Sequence, residues 1–130
     1  MNTTIYHNPR CSKSRDALKF LNDSGIEPVV IHYVDIGWTG DTLLTLKQES
    51  GLSWETMLRV DAVAELAETL ENNNAQQIIN HLITNPVALE RPFVTTPIGT
   101  RLCRPIQRLL EIIEQRPIPP WHTESEERVI

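Results

Sequence analysis

Two β-prone runs separated by a single amphipathic helix occupy residues 3–34, and this arrangement leaves few folds open. Thr3 to Tyr6 (Thr-Thr-Ile-Tyr) is short and β-prone, and it breaks at Asn8-Pro9. The spacing then predicts a helix from about Ser12–Ser14 to Asn22, with Ala17, Leu18 and Leu21 on one face and Phe20 beside them. Asp23-Ser24-Gly25 closes it in the manner of a glycine C-cap. Val29 to Val34 (VVIHYV) is nearly continuous apolar sequence, the pattern of a strand covered on both faces. A parallel pair needs a crossover such as this helix, and a strand covered on both faces fits that arrangement. The first 34 residues are therefore expected to form a β-α-β unit.

The following stretch reads as helical throughout. Asp35 to Gly40 is a loop. Thr39 or Asp41 can cap a helix carrying Leu43, Leu44 and Leu46 that ends near Gly51. Ser53 can cap a short helix bearing Trp54, Met57, Leu58 and Arg59. A further helical run, Ala62 to Leu70, breaks at Asn72-Asn73-Asn74. Ala75 to Thr84 follows, with Ile78, Ile79, Leu82 and Ile83 expected inward, and Asn85-Pro86 stops it.

Strands return after Leu89. Arg91 to Thr96 and Thr100 to Cys103 read as a hairpin around Pro97-Ile98-Gly99. Arg104-Pro105 opens a last helix, Ile106 to Glu114, with Ile106, Leu109, Leu110 and Ile113 as its buried stripe. The economical assembly is an α/β fold, a four-stranded mixed sheet flanked by helices on the thioredoxin-like plan, although other α/β sandwiches fit the same order. It is expected to span residues 1–116 as one domain, with a helical insertion at about 39–86. Residues 117–130 are expected as a proline-containing tail, laid on the surface or partly disordered, with Trp121 pinning it.

Composition narrows the function classes. The net charge of −5 argues against general affinity for nucleic acid or an anionic membrane, although it does not exclude a local basic pocket. No apolar run approaches a membrane span, and no basic-then-apolar signal opens the chain. The expected location is the cytosol, where thiols stay reduced and a functional cysteine is more often reactive than structural. Two cysteines, Cys11 and Cys103, are too few for a disulfide framework. The four histidines show no metal-ligand spacing with each other or with the cysteines, so no metal site is expected from them.

Cys11 is the leading candidate for chemistry. A free cysteine is commonly a small buried apolar residue. The neighbours Asn8, Pro9, Arg10, Ser12, Lys13, Ser14 and Arg15 are not core types, however. A thiol at a helix start faces unpaired N–H groups, which together with nearby cations favour the thiolate and bind oxyanions. Ser14 stands where a Cys-x-x-Cys motif has its second cysteine, so no disulfide can form within the motif. The Ser14 hydroxyl is free to donate to the thiolate instead, and His7 can tune the same loop. Arg59, Arg91 and Arg104 each sit at an element boundary; a guanidinium fork suits a tetrahedral oxyanion, though any one surface arginine is usually only solvated. Cys103 is expected in the core.

The segments TIYHNPRCSKSR (4–15) and ERPFVTTPIGTRLCRP (90–105), with the pair Leu58-Arg59, resemble the glutaredoxin-linked, ArsC-type arsenate reductase family over most of residues 3–114. The resemblance implies a thioredoxin-like fold with a helical insertion, and reduction of arsenate to arsenite by glutathione and glutaredoxin. It implies that Cys11 is the nucleophile, that Arg59, Arg91 and Arg104 bind the oxyanion, and that His7, Ser14 and Arg15 support the thiolate. Pro92 takes the position of the fold's cis-proline. Two other readings remain open at this point: a thiol-dependent redox protein with another substrate, and a regulator like the Spx-type transcription factors that bind RNA polymerase. Those regulators typically carry a Cys-x-x-Cys switch, which Ser14 removes.

Overall fold

A computed structural model describes residues 2–130. Four strands form one sheet: β1 (Thr4–Tyr6), β2 (Val29–Ile31), β3 (Phe93–Thr95) and β4 (Thr100–Leu102), in the order β2-β1-β3-β4. β1 runs parallel to β2, with Ile5 opposite Val30, and antiparallel to β3, with Ile5 opposite Val94. β3 and β4 form the expected hairpin, Phe93 facing Leu102. The crossover between the parallel pair is helix α1 (Ser12–Asp23), closed at Ser24 and followed by Gly25 at φ 81. This is the mixed sheet of a thioredoxin-like fold.

The chain divides into two compact units, residues 1–32 with 91–130, and residues 33–90. In the first, Ile5 and Val94 meet Ala17, Phe20 and Leu21 of α1, together with Cys103, Leu109, Ile112 and Trp121. Burying such side chains contributes roughly 1.5–3 kcal/mol each before chain entropy is counted. Trp121 packs edge-on against Phe20 at 4.9 Å between ring centroids, and its indole N–H donates to Asp23 Oδ2 at 2.9 Å. The tail is thereby laid on α1, and it folds back on itself: Trp121 N–H donates to Ile130 O, and Val129 N–H donates to Trp121 O.

The second unit is helical: α2 (Tyr33–Ile36), α3 (Gly40–Ser50), α4 (Trp54–Met57), α5 (Val60–Glu65), α6 (Ala67–Glu71) and α7 (Ala75–Thr84). Thr39 and Ser53 are the side-chain caps of α3 and α4. Gly51 ends α3 in the left-handed conformation that spares a glycine the usual Cβ clash.

Several expectations change. The apolar run from Val29 does not stay extended to Val34. β2 ends at Ile31 and Tyr33 opens a helical turn, because β2 is the edge of the sheet, with Val29 exposed and Val30 half-buried rather than covered on both faces. Leu58 and Arg59 leave α4 in extended geometry, and Leu58 bridges to Leu89. The helix expected over 62–70 breaks at Leu66 into α5 and α6. Ile83 faces outward at 46% exposure, since Ile78, Ile79 and Leu82 already fill the buried stripe of α7. The last helix is a 3-10 helix over Ile106–Glu111, with Pro105 just outside it.

Candidate active site

The Cys11 loop is held by local hydrogen bonds. Asn8 organises it: its backbone carbonyl accepts Cys11 N–H at 3.0 Å, and its side-chain Oδ1 accepts Arg10 N–H at 3.0 Å. Asparagine closes such turns with its own side chain, and Pro9 supplies a restricted φ within the turn. Ser14 Oγ accepts Asn8 N–H at 3.0 Å and lies 2.7 Å from His7 Nδ1. His7, Asn8, Cys11 and Ser14 are all buried. This local network delivers Cys11 as the residue immediately before α1, extended at φ −98 and ψ 120.

Cys11 is 9% exposed. Burial pushes its thiol up. A hydrogen bond from the Arg91 side chain, the N–H groups of Ser14 and Lys13, and the Arg91 charge overcome that and hold it below the ordinary value. The helix start acts on the sulfur through the Ser14 and Lys13 N–H groups, and the side-chain donor is Arg91. The Ser14 hydroxyl is occupied with His7 and Asn8; the part of Ser14 that acts on the sulfur is its backbone N–H. His7 is held below its ordinary value by burial first, then by His32 and Arg15. The His7 and His32 rings stand edge to face at 5.7 Å.

Arg91 and Arg104 come together at the ends of the hairpin. Arg104 Nη1 donates to the Arg91 carbonyl at 3.2 Å, and Cys103 N–H donates to Pro92 O at 2.8 Å. The Arg91–Pro92 peptide is cis, as are Arg104–Pro105 and Pro119–Pro120. Arg15, one turn into α1, donates through Nη1 to the Pro9 carbonyl at 2.9 Å and is forked onto the Glu124 carboxylate. Of the sequence candidates, His7, Cys11, Ser14, Arg15, Arg91, Pro92 and Arg104 belong to the first unit. Arg59 belongs to the second, where its N–H donates to Ala88 O at 2.9 Å and its Nε lies 3.8 Å from Glu90 Oε1.

Two contributors to the site carry little or no signal in the sequence. Asn8 was legible only as a chain break, although Asn-Pro also marks a side-chain turn. Glu124, 109 positions from Arg15, carries no local signal at all. Cys103 is 1% exposed, and burial drives its thiol far above the ordinary range. Among the described residues no group of three or more His, Cys, Asp or Glu side chains is placed to hold a metal, and no helix is long and apolar enough to cross a membrane.

A thiol with its charged form favoured, a guanidinium bonded to it and a second arginine held on the backbone carbonyl of the first can attract and attack a small oxyanion. Known proteins carry related sequences. An arsenate reductase of Escherichia coli is 37% identical, the match covering 99% of this chain and 93% of that protein. An arsenate reductase of Synechocystis is 38% identical over 97% of this chain and 91% of its own length. The solved structure of an arsenate reductase from Vibrio cholerae superposes with a TM-score of 0.72 at 35% identity, covering 87% of this chain and 98% of that one. Residues 6–112 match the ArsC family, and the chain belongs to that family.

Proposed function

We propose that this protein is an arsenate reductase, an oxidoreductase that converts arsenate to arsenite with Cys11 as nucleophile and glutathione and glutaredoxin as reductants. The observation that carries the reading is the pairing of Cys11 with Arg91: a buried thiol whose anion is nonetheless favoured, bonded to a cation suited to an oxyanion. The Cys11 thiolate attacks arsenic(V), forming a sulfur–arsenic bond as a protonated oxygen leaves as water. Arg91 and Arg104 offset the charge gathered on the remaining oxygens. The thiolate of glutathione then attacks the Cys11 sulfur. A disulfide forms, the sulfur–arsenic bond breaks, and its electron pair stays on arsenic, which departs as arsenite. Glutaredoxin removes the glutathione and returns the Cys11 thiol.

His7, Ser14 and Arg15 support the thiolate in this reading: the first two by fixing the loop, the third by its charge. Arg59 is assigned as a further oxyanion ligand on the matching Leu58-Arg59 pair alone. Ser14 in place of a second motif cysteine, with Cys103 buried, supports a resolving thiol from outside, and a compartment rich in reduced glutathione, the cytoplasm, suits that reading. The chemistry needs no metal or resident organic cofactor.

The test is a coupled assay following NADPH oxidation in the presence of glutathione, glutathione reductase and glutaredoxin. Oxidation that starts on addition of arsenate, and arsenite recovered in equal amount, is the expected result. Absence of arsenate-dependent oxidation, with turnover of a low-molecular-weight disulfide instead, would replace arsenate reduction with general thiol redox chemistry.

A further inference from the structure

The C-terminal tail is linked to the Cys11 loop through Arg15 on α1. Glu124 Oε2 accepts Arg15 Nε at 2.8 Å and Oε1 accepts Arg15 Nη2 at 3.0 Å, a two-point clamp on the guanidinium. The remaining nitrogen, Nη1, donates to the Pro9 carbonyl at 2.9 Å, inside the turn that presents Cys11. The guanidinium is thus held on two sides, by the tail and by the loop. Arg15 also bears electrostatically on both titrating groups of the site, His7 and Cys11.

The tail is docked by contacts besides the Glu124 carboxylate. Trp121 against Phe20 and Asp23 anchors one end. The backbone N–H of Glu124 donates to Asp16 Oδ1 at 2.9 Å, and the tail pairs with itself through Thr123 N–H to Glu127 O at 2.9 Å. The carboxylate is therefore available for another role, and its hydrogen-bonding partner is Arg15. The charged groups facing Arg15 are Glu124 from the tail, with Asp16 and Cys11 on its own side.

We propose that Glu124 is a positioning residue for the Cys11 thiol, acting through Arg15: its carboxylate holds the guanidinium onto the Pro9 carbonyl and so fixes both the loop and a cation beside the sulfur. This rests on Cys11 being the reactive thiol but not on arsenate being the substrate. Without the clamp, Arg15 swings into solvent as a flexible exposed side chain, the loop loses one tether, and the thiolate loses a fixed positive neighbour.

The experiment is the pH dependence of Cys11 alkylation by iodoacetamide on the full chain, with the modified cysteine located by mass spectrometry. Glu124→Gln keeps the side-chain size and the backbone bond to Asp16 while removing the charge. It is expected to raise the alkylation midpoint by about half a pH unit and to slow alkylation at neutral pH about 3-fold. Arg15→Gln is expected to raise the midpoint similarly, and the double variant to show no further rise, since the two residues act as one unit. A Glu124→Gln profile that coincides with or falls below the parent's overturns the proposal, as does full additivity in the double variant. A lowered melting temperature with an unmoved profile overturns it too, assigning Glu124 to tail docking alone. If Cys11 in the parent resists alkylation, the reading of that thiol falls and the proposal with it. A failed arsenate assay leaves this experiment intact, because iodoacetamide reports on the thiol alone.

Discussion

Cys11 and Cys103 are both free, both buried and in the same compact unit, yet their thiols are displaced in opposite directions. Burial raises both. At Cys11 the penalty is overcome by Arg91 and by two backbone N–H groups at the start of α1. At Cys103 the cation with the largest effect, Arg101, has its Nε donating to Glu111 at 3.0 Å, so its effect is offset by a neighbouring carboxylate. Cys103 Sγ instead contacts the Arg101 carbonyl at 3.7 Å, an interaction available to the thiol as donor and not to the thiolate. The opposite displacements follow from the donors aimed at sulfur and not from exposure, since neither cysteine is open to water.

The strongest way to break the contrast is to exchange the roles. Cys11→Ser is expected to abolish arsenate-dependent turnover, a loss on the order of 1,000-fold or more, because a serine hydroxyl is a far weaker acid and nucleophile than a thiol. Cys103→Ala is expected to keep turnover near the parent level in the same coupled assay. An active Cys11→Ser protein would end the assignment of the nucleophile, and an inactive but folded Cys103→Ala protein would erase the contrast.

Arg91 is the next test, since it supplies both a hydrogen bond and a charge to Cys11. Arg91→Gln is expected to lower turnover about 100-fold at neutral pH, comparable to loss of one donor at a charge-developing site. Its sign in pH is also set. Losing a group that favours the thiolate moves the alkylation midpoint of Cys11 upward, so part of the alkylation rate returns in alkaline solution. If turnover falls while the alkylation profile is unmoved, Arg91 acts on the substrate alone and the thiol owes its lowered value to the helix start.

Ser14→Ala probes the loop itself. It leaves a buried Asn8 N–H and the His7 ring without their shared partner, which is expected to cost about 1–3 kcal/mol of stability in urea unfolding. It is expected to slow Cys11 alkylation only about 2–5-fold, because the backbone N–H of Ser14 survives the change. A variant as stable as the parent would show that the loop is held by Asn8 alone.

What could be read in advance follows physical range. The Ser53 cap, the choice of Thr39 or Asp41 as the cap of α3, the end of α1 and the bounds of α7 rest on interactions within one turn, and sequence patterns record those. The end of β2 does not: VVIHYV has the residue types of a covered strand, but only the sheet order reveals that Val29 lies on an edge. Ile83 is apolar and outward because the buried stripe was already complete. At the site, Cys11 was legible from the polar company it keeps. Its contact with Arg91, 80 positions on, rests on the sheet bringing β1 and β3 side by side. Arg91 itself was nominated by its guanidinium chemistry and boundary position, with its oxyanion role implied by the resemblance. Glu124 was invisible because nothing near it in sequence announces a partner on α1.

The smallest effect separates the two cysteines by thermodynamics alone. Cys11 has a depressed folded value, so its contribution to stability is fully present above the ordinary thiol value of 9.0 and is lost as pH falls through the folded value. Cys103 has a raised folded value, so its protonated form is native: the unfolded chain ionises first, and stability falls as pH climbs past 9.0. For a single thiol the slope is about 1.4 kcal/mol per pH unit. Cys103→Ala removes that slope at the cost of about 1 kcal/mol of lost packing at neutral pH. The stability curves of parent and variant, from urea unfolding between neutral pH and about pH 10.5, are therefore expected to converge and then cross as alkalinity rises. Parallel curves would mean that Cys103 ionises as readily folded as unfolded, and the contrast with Cys11 would then lie in access to reagents rather than in the charge each site tolerates.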